Sequence, residues 1–393
     1  MNTWSNQRRA ALILALLFLF TPAVPVRAAD DRIWFNATVN AKPVKMVFDT
    51  GSEVMVVTRP AAKRLGLKIF ELPSDAVASA SKGIYPWTDE CDFKWEDTER
   101  HLSFVVLDVP KGLNFEADGI FSWHSVRQNV LFLDWERGHF AFAGEPPRDL
   151  TGWTRFAIKT NQALVLEFPT ADRGLHTLAI DTGSPDGIAL SPEAWKRWRQ
   201  AQPNKPTSFN SLYQPVAGFM ANEVAWADPL KFGDLVIRGV PIEQASAKQV
   251  QVAESLGASS YEATIGLAAL KRLELIVDGI GGTAYVRAKT NAPRRYSHNM
   301  LGAAFVPPDA NSDRLIAHVA AGSPAEIAGI KNGDVLLKIN TKDVTKWRSN
   351  PAISINTVFI DRKPGEKVVL VLERGSEKLT VTAVLKNILG PPQ

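Results

Sequence analysis

A chain of 393 residues exceeds one ordinary hydrophobic core, so two or three domains are expected. Apolar residues make up 45% and charged residues 22%, a balance that excludes a disordered chain. The formal charge of +4 rests largely on Arg8, Arg9 and Arg27, and without them the chain is nearly neutral, which argues against nucleic acid or an anionic membrane as main partner.

In chain order, the first element reads as a secretory signal over residues 1–28. Arg8 and Arg9 form a basic start, residues 10–20 are apolar but short for a bilayer, and Val26-Arg27-Ala28 offers small residues for cleavage. The competing reading is a short membrane anchor. Cleavage would place the mature chain outside the cytoplasm, periplasmic or secreted. The single cysteine, Cys91, allows no intrachain disulfide and reads as a packed small residue.

Residues 32–52 alternate apolar and polar around a turn at 40–42, a hairpin whose second strand enters Asp49-Thr50-Gly51-Ser52. A short strand at 54–57 and a helix opened by Thr58-Arg59-Pro60 and stopped by Gly66 follow. Residues 163–184 repeat the plan, ending in Asp181-Thr182-Gly183-Ser184. A strand at 187–190 and a helix with Ser191 as cap and Pro192 in its first turn follow there. The ends also match. Ile120-Phe121-Ser122 stands twelve residues before Asp134, and Thr264-Ile265-Gly266 ends twelve before Asp278. Residues 30–145 and 150–288 are therefore read as two copies of one β-rich lobe. The stretch 291–299, preceded by Lys289 and containing Arg294 and Arg295, reads as a solvated linker.

A single Asp-Thr-Gly is an ordinary turn. Two, each ending an apolar strand in the same repeat, are specific. Two close carboxyls cannot both ionise cheaply, so they share a proton and together can activate water. The six histidines show no zinc spacing, and neither a serine elbow nor a phosphate-binding glycine loop is present. No metal, nucleotide, flavin or other cofactor is read.

These motifs resemble the aspartic peptidases of pepsin and retroviral type over residues 30–288. The resemblance implies a mainly β fold of two tandem barrel-like lobes, 29–147 and 148–290, related by a pseudo-two-fold axis. It implies that Asp49 and Asp181 hold the lytic water, that Thr50 and Thr182 brace the loops, and that Gly51 and Gly183 make the tight turns. Ser52 and Ser184 would orient the carboxylates. Ser122 departs from the glycine expected under the first loop. Flap candidates are Gly83 and Tyr85 in the first lobe and Gly218 and Phe219 in the second. Substrates would be extended peptides or proteins.

Residues 300–388 carry Ser323-Pro324-Ala325-Glu326, a capping box, and Asn332-Gly333-Asp334 before a strand. The stretch 322–336 resembles bacterial-type PDZ domains, small α+β modules. The resemblance implies a peptide carboxylate, from a protein C-terminus, at the amides of Leu301, Gly302, Ala303 and Ala304, a binding strand from Phe305, and a groove against a helix at 353–360. The alternative is a groove filled by the protein's own chain. The implied activity is an exported aspartic endopeptidase with a recruiting PDZ domain; a catalytically weak peptide-binding scaffold is the alternative.

Overall fold

The computed structural model describes residues 32–71, 85–96, 98–109, 111, 115–134, 139–159, 163–167, 176–214, 218–232, 235–247, 250, 261–289, 296–309, 311–350, 359–360 and 362–391. The signal-like segment, Gly83 and most of the 353–360 helix lie outside them. The fold is mainly β.

The expected first hairpin forms between Ile33–Val39 and Lys42–Asp49, with Val39 opposite Lys42. Asn40 and Ala41 take positive φ values of 48° and 61°, the two-residue turn that matches strand twist. Asn40 anchors it, because its side chain accepts the Asp92 amide at 2.8 Å. The helix Arg59–Leu65 starts where its sequence says. Thr58 Oγ1 accepts the Ala61 amide at 3.3 Å, and Gly66 closes it at φ 75°.

Each aspartate strand is embedded in the same pairing pattern. Lys42–Asp49 lies parallel to Gly119–Ser122, which lies antiparallel to Val56–Thr58, itself parallel to Val105–Leu107. Thr177–Ile180 lies parallel to Ala263–Ile265, which lies antiparallel to Ile188–Leu190, itself parallel to Pro241–Gln244. The two halves are not separate sheets, however. Val130–Asp134 pairs with Leu273–Asp278, and Thr154–Lys159 pairs with Thr283–Ala288, so a twelve-stranded sheet crosses from one half to the other. One apolar cluster accordingly runs from Ile33 to Val286. On the first aspartate strand itself, Phe48 stacks against Phe140, with ring centres 4.5 Å apart.

The C-terminal module has its own sheet and its own core around Trp347. Half of its capping box forms as read, for Ser323 Oγ accepts the Glu326 amide at 3.2 Å; the Glu326 carboxylate reaches one residue further back, to the Gly322 amide at 2.7 Å, because the Ser323 amide is taken by Ala320 O. This module is not a bead on a string. Trp226 Nε1 donates to Gly390 O at 3.2 Å, and Leu389 packs with Val224, Trp226 and Tyr296. The described end of the expected linker, residues 296–299, is built into this junction, with His298 and Asn299 buried. Among the described residues no helix is long and apolar enough to cross a membrane.

Candidate active site

Asp49 ends its strand opposite Ser122 in the parallel register, and Asp181 follows Ile180 with its amide on Ile265 O at 3.0 Å. The two loops then lock each other. Thr50 N donates to Thr182 Oγ1 at 3.0 Å, and Thr182 N to Thr50 Oγ1 at 3.2 Å. Thr50 Oγ1 donates to Ile180 O at 2.6 Å, and Thr182 Oγ1 to Phe48 O at 2.7 Å. Both threonines are fully buried, so these four bonds satisfy groups that water cannot reach.

This lock brings the carboxyls together. A Cβ on Gly51 would stand 2.7 Å from Asp181 Cγ, and one on Gly183 would stand 2.5 Å from Asp49 Cγ. Only glycine lets the opposite carboxyl this close. Gly51 N donates to Asp49 Oδ1 at 2.8 Å. Asp181 Oδ1 accepts two amides, from Gly183 and Ser184, both at 2.9 Å. The serine hydroxyls look elsewhere: Ser52 Oγ donates to Val54 O at 2.8 Å, and Ser184 Oγ lies 3.4 Å from Asp186 Oδ2.

Both carboxyls keep some exposure to solvent, yet protein surrounds them closely. Burial raises the Asp49 pKa, against the Gly51 amide, the Asp181 hydrogen bond and nearby Arg32, which lower it. Burial raises Asp181 well above the usual carboxylate range, and the Asp49 charge raises it further. The pair titrates as a unit and retains one proton where free aspartates have none. Such a pair can accept a proton from water with one carboxyl and deliver one with the other.

Ser122, the departure from the expected glycine, is buried. Its amide points at Met55 Sδ, 3.4 Å away, and its hydroxyl lies 3.4 Å from Ser125 Oγ. Its counterpart Gly266 has no such room, for a Cβ there would meet Asp186 O at 2.6 Å. Of the flap candidates, Tyr85 has a buried hydroxyl with no partner among the described residues, and Phe219 packs on Trp347 of the C-terminal module. Cys91 is buried and donates to Asp89 O at 3.1 Å, the packed role read from sequence.

Three groups that bear on the pair or on neighbouring Asp186 were missed. Arg32 lowers the pKa of both Asp49 and Asp186. Tyr261, raised first by burial, also feels Asp181 and Glu53. Glu243 is buried, raised well up by burial and by Asp186. Only Arg32, charged at the start of an apolar strand, left any signal. Of the four amides expected to take a carboxylate, two already have a partner: Asn299 Oδ1 accepts from Leu301 N at 2.9 Å and Gly302 N at 3.2 Å.

Residues 35–115 match the aspartyl protease family model, and residues 300–385 match the PDZ domain model. Among curated proteins, the chain is similar to the zinc metalloprotease RasP of Shouchella clausii, 35% identical over 66 residues, covering 17% of this chain and 14% of that one. It is also similar to the serine protease Do-like HtrB of Bacillus subtilis, 32% identical over 96 residues, covering 24% of this chain and 20% of that one. The chain thus spans a fifth or less of these relatives' lengths.

Proposed function

We propose that this chain, which carries an aspartyl protease domain and a PDZ domain, is an exported endopeptidase of the aspartic type. The observation that carries the reading is the reciprocal threonine lock, which presses two strand-end carboxyls together at a place where burial raises both of their pKa values. Asp49 and Asp181 hold the water; one takes its proton as it attacks the peptide carbonyl, and the other protonates the leaving amine. Gly51 and Gly183 admit the carboxyls to contact, and Thr50 and Thr182 fix their separation. The reaction needs no group beyond these residues and water.

The repeated strand pairing supports two lobes related by a pseudo-two-fold axis, joined by the shared sheet. An extended peptide or protein segment is the substrate this arrangement suits. The PDZ domain would engage a protein C-terminus. Export rests on the basic-then-apolar run of residues 8–28.

The test is cleavage of a diverse peptide library from acid to neutral pH by the chain from residue 29, beside Asp49→Asn. Products from the parent alone support the reading. Folded parent that makes no products at any pH leaves a peptide-binding scaffold instead.

A further inference from the structure

The hairpin of the second half, Ser208–Gln214 with Gly218–Trp226, pairs from Ser208 opposite Val224 to Gln214 opposite Gly218. Both strands pack on Ala303–Val306 of the C-terminal module. That is the strand along which a PDZ ligand would add. Several independent contacts seat the hairpin there. The Phe219 ring stands edge-on to Trp347 at 5.7 Å and 87°. The Arg348 guanidinium lies 5.1 Å from the Phe219 ring and 4.4 Å from Trp347. Arg348 Nη1 also donates to Lys111 O at 3.1 Å, tying the same corner to the first half. Phe209 reaches His318 at 6.5 Å.

The hairpin also touches the carboxylate position itself. Buried Ser208 donates to Asn299 O at 2.6 Å. The side chain of Asn299 fills the amides of Leu301 and Gly302, and its Nδ2 donates to Ala303 O at 2.8 Å. Those amides are where the resemblance would put a peptide carboxylate. Paired with Phe219 across the hairpin and on the same face, Tyr213 lies 5.0 Å from that ring, and its hydroxyl pKa is raised by burial and then by nearby Tyr85 and Asp108 of the first half. The hairpin therefore spans from the first half to the PDZ strand.

We propose that the PDZ domain fills its own peptide position with Asn299 and clamps the second-half hairpin through Trp347 and Arg348, so that an extended peptide with a free apolar C-terminus enters only by displacing Asn299 and loosening that hairpin. A carboxylate is a stronger acceptor for the two amides than the neutral Asn299 oxygen, which gives the ligand its drive. Moving Asn299 disturbs the carbonyl that holds Ser208. By linkage, whatever frees the hairpin strengthens the peptide by the same factor. Any effect of this clamp on turnover rests on the peptidase reading above; the clamp itself does not.

Hydrogen exchange on the full chain tests it, with parent, Phe219→Ala and Phe219→Tyr, each with and without a labelled peptide bearing a free apolar C-terminus. Saturating peptide and Phe219→Ala should each speed exchange in 208–214 and 218–226 by about five-fold or more. The strand Lys367–Arg374 should stay protected, and Phe219→Tyr, which keeps the ring, should match the parent. The peptide should bind Phe219→Ala more tightly than the parent. A peptide that saturates the parent with hairpin exchange unchanged overturns the proposal. So does one that binds neither chain, or a Phe219→Ala variant whose hairpin exchanges like the parent's. None of these readouts requires cleavage. Linked exchange in a chain that cuts nothing would sink the peptidase and leave the clamp, and cleavage with unlinked exchange would do the reverse.

Discussion

At the scale of single residues, two threonines and two glycines decide where two carboxyls sit. Thr182 Oγ1 accepts the Thr50 amide and donates to Phe48 O, all buried. Thr182→Val keeps the shape and strands both backbone groups. It should cost about 2–4 kcal/mol in chemical denaturation, since each unpaired buried group costs about 1–3 kcal/mol. The shared proton fixes a pH dependence. Peptide turnover should fall as pH rises and the pair loses that proton, along a limb lying above the ordinary aspartate value of 3.8. Loss of turnover already below that value would contradict the raised pair. Glu243 gives a stability counterpart. Its folded pKa is raised, so between the ordinary 4.5 and the folded value the native chain keeps a proton the unfolded chain has released. Stability is therefore full below 4.5 and lost as pH rises through the folded value. Glu243→Gln should flatten the decline of melting temperature from acid to neutral pH. Both aspartates were legible from sequence because a doubled motif is rare. Glu243, between Ile242 and Gln244 on a short strand, left no trace, since its burial depends on partners far along the chain.

At the scale of elements, the same three strand relations hold each aspartate loop, but the fit beneath the two loops differs. Ser122 occupies room beside Ser125 and Met55, whereas a side chain at 266 would strike the backbone of Asp186 and Ser184. Ser122→Gly should change stability by no more than about 1 kcal/mol, the strand cost of glycine. Gly266→Ala should lower both stability and activity, by more than the 1–3 kcal/mol typical of overpacking, roughly, because backbone cannot rotate away. Melting curves and turnover of the two variants, side by side, check this. Alternation, caps and turns made the first hairpin, the helices Arg59–Leu65 and Pro192–Ala201, and the capping box of the C-terminal module readable. The pairing of Val130–Asp134 with Leu273–Asp278 was not readable. Local pattern shows that both are strands and says nothing about which distant strand each will meet.

At the scale of the molecule, the C-terminal module is docked onto the second half of the chain. Leu389 closes a small apolar cluster with Val224, Trp226 and Tyr296. Leu389→Ala should destabilise by about 2–3 kcal/mol, the cost of a buried leucine. If the junction is as tight as its packing implies, the hairpin 208–226 should lose protection with it in hydrogen exchange; loosening confined to the C-terminal module would argue against that coupling. The sequence reads as two lobes followed, after a charged stretch, by a C-terminal module. Their docking escaped it because Asn299, Tyr296 and Leu389 acquire meaning only against residues far earlier in the chain. The central claim is that a carboxyl pair, and no metal or serine, does the cutting, although the relatives are named for zinc and serine chemistry. The most direct measurement is turnover of one peptide by the parent, by Asp49→Asn and by Asp181→Asn, with and without a metal chelator and a serine-reactive fluorophosphonate. The account predicts that the parent keeps its rate in both reagents while each variant, still folded, loses about a thousand-fold or more in kcat, the scale seen when one member of a catalytic group is removed. Cleavage that persists in either variant, or that stops with chelator or fluorophosphonate, would contradict it.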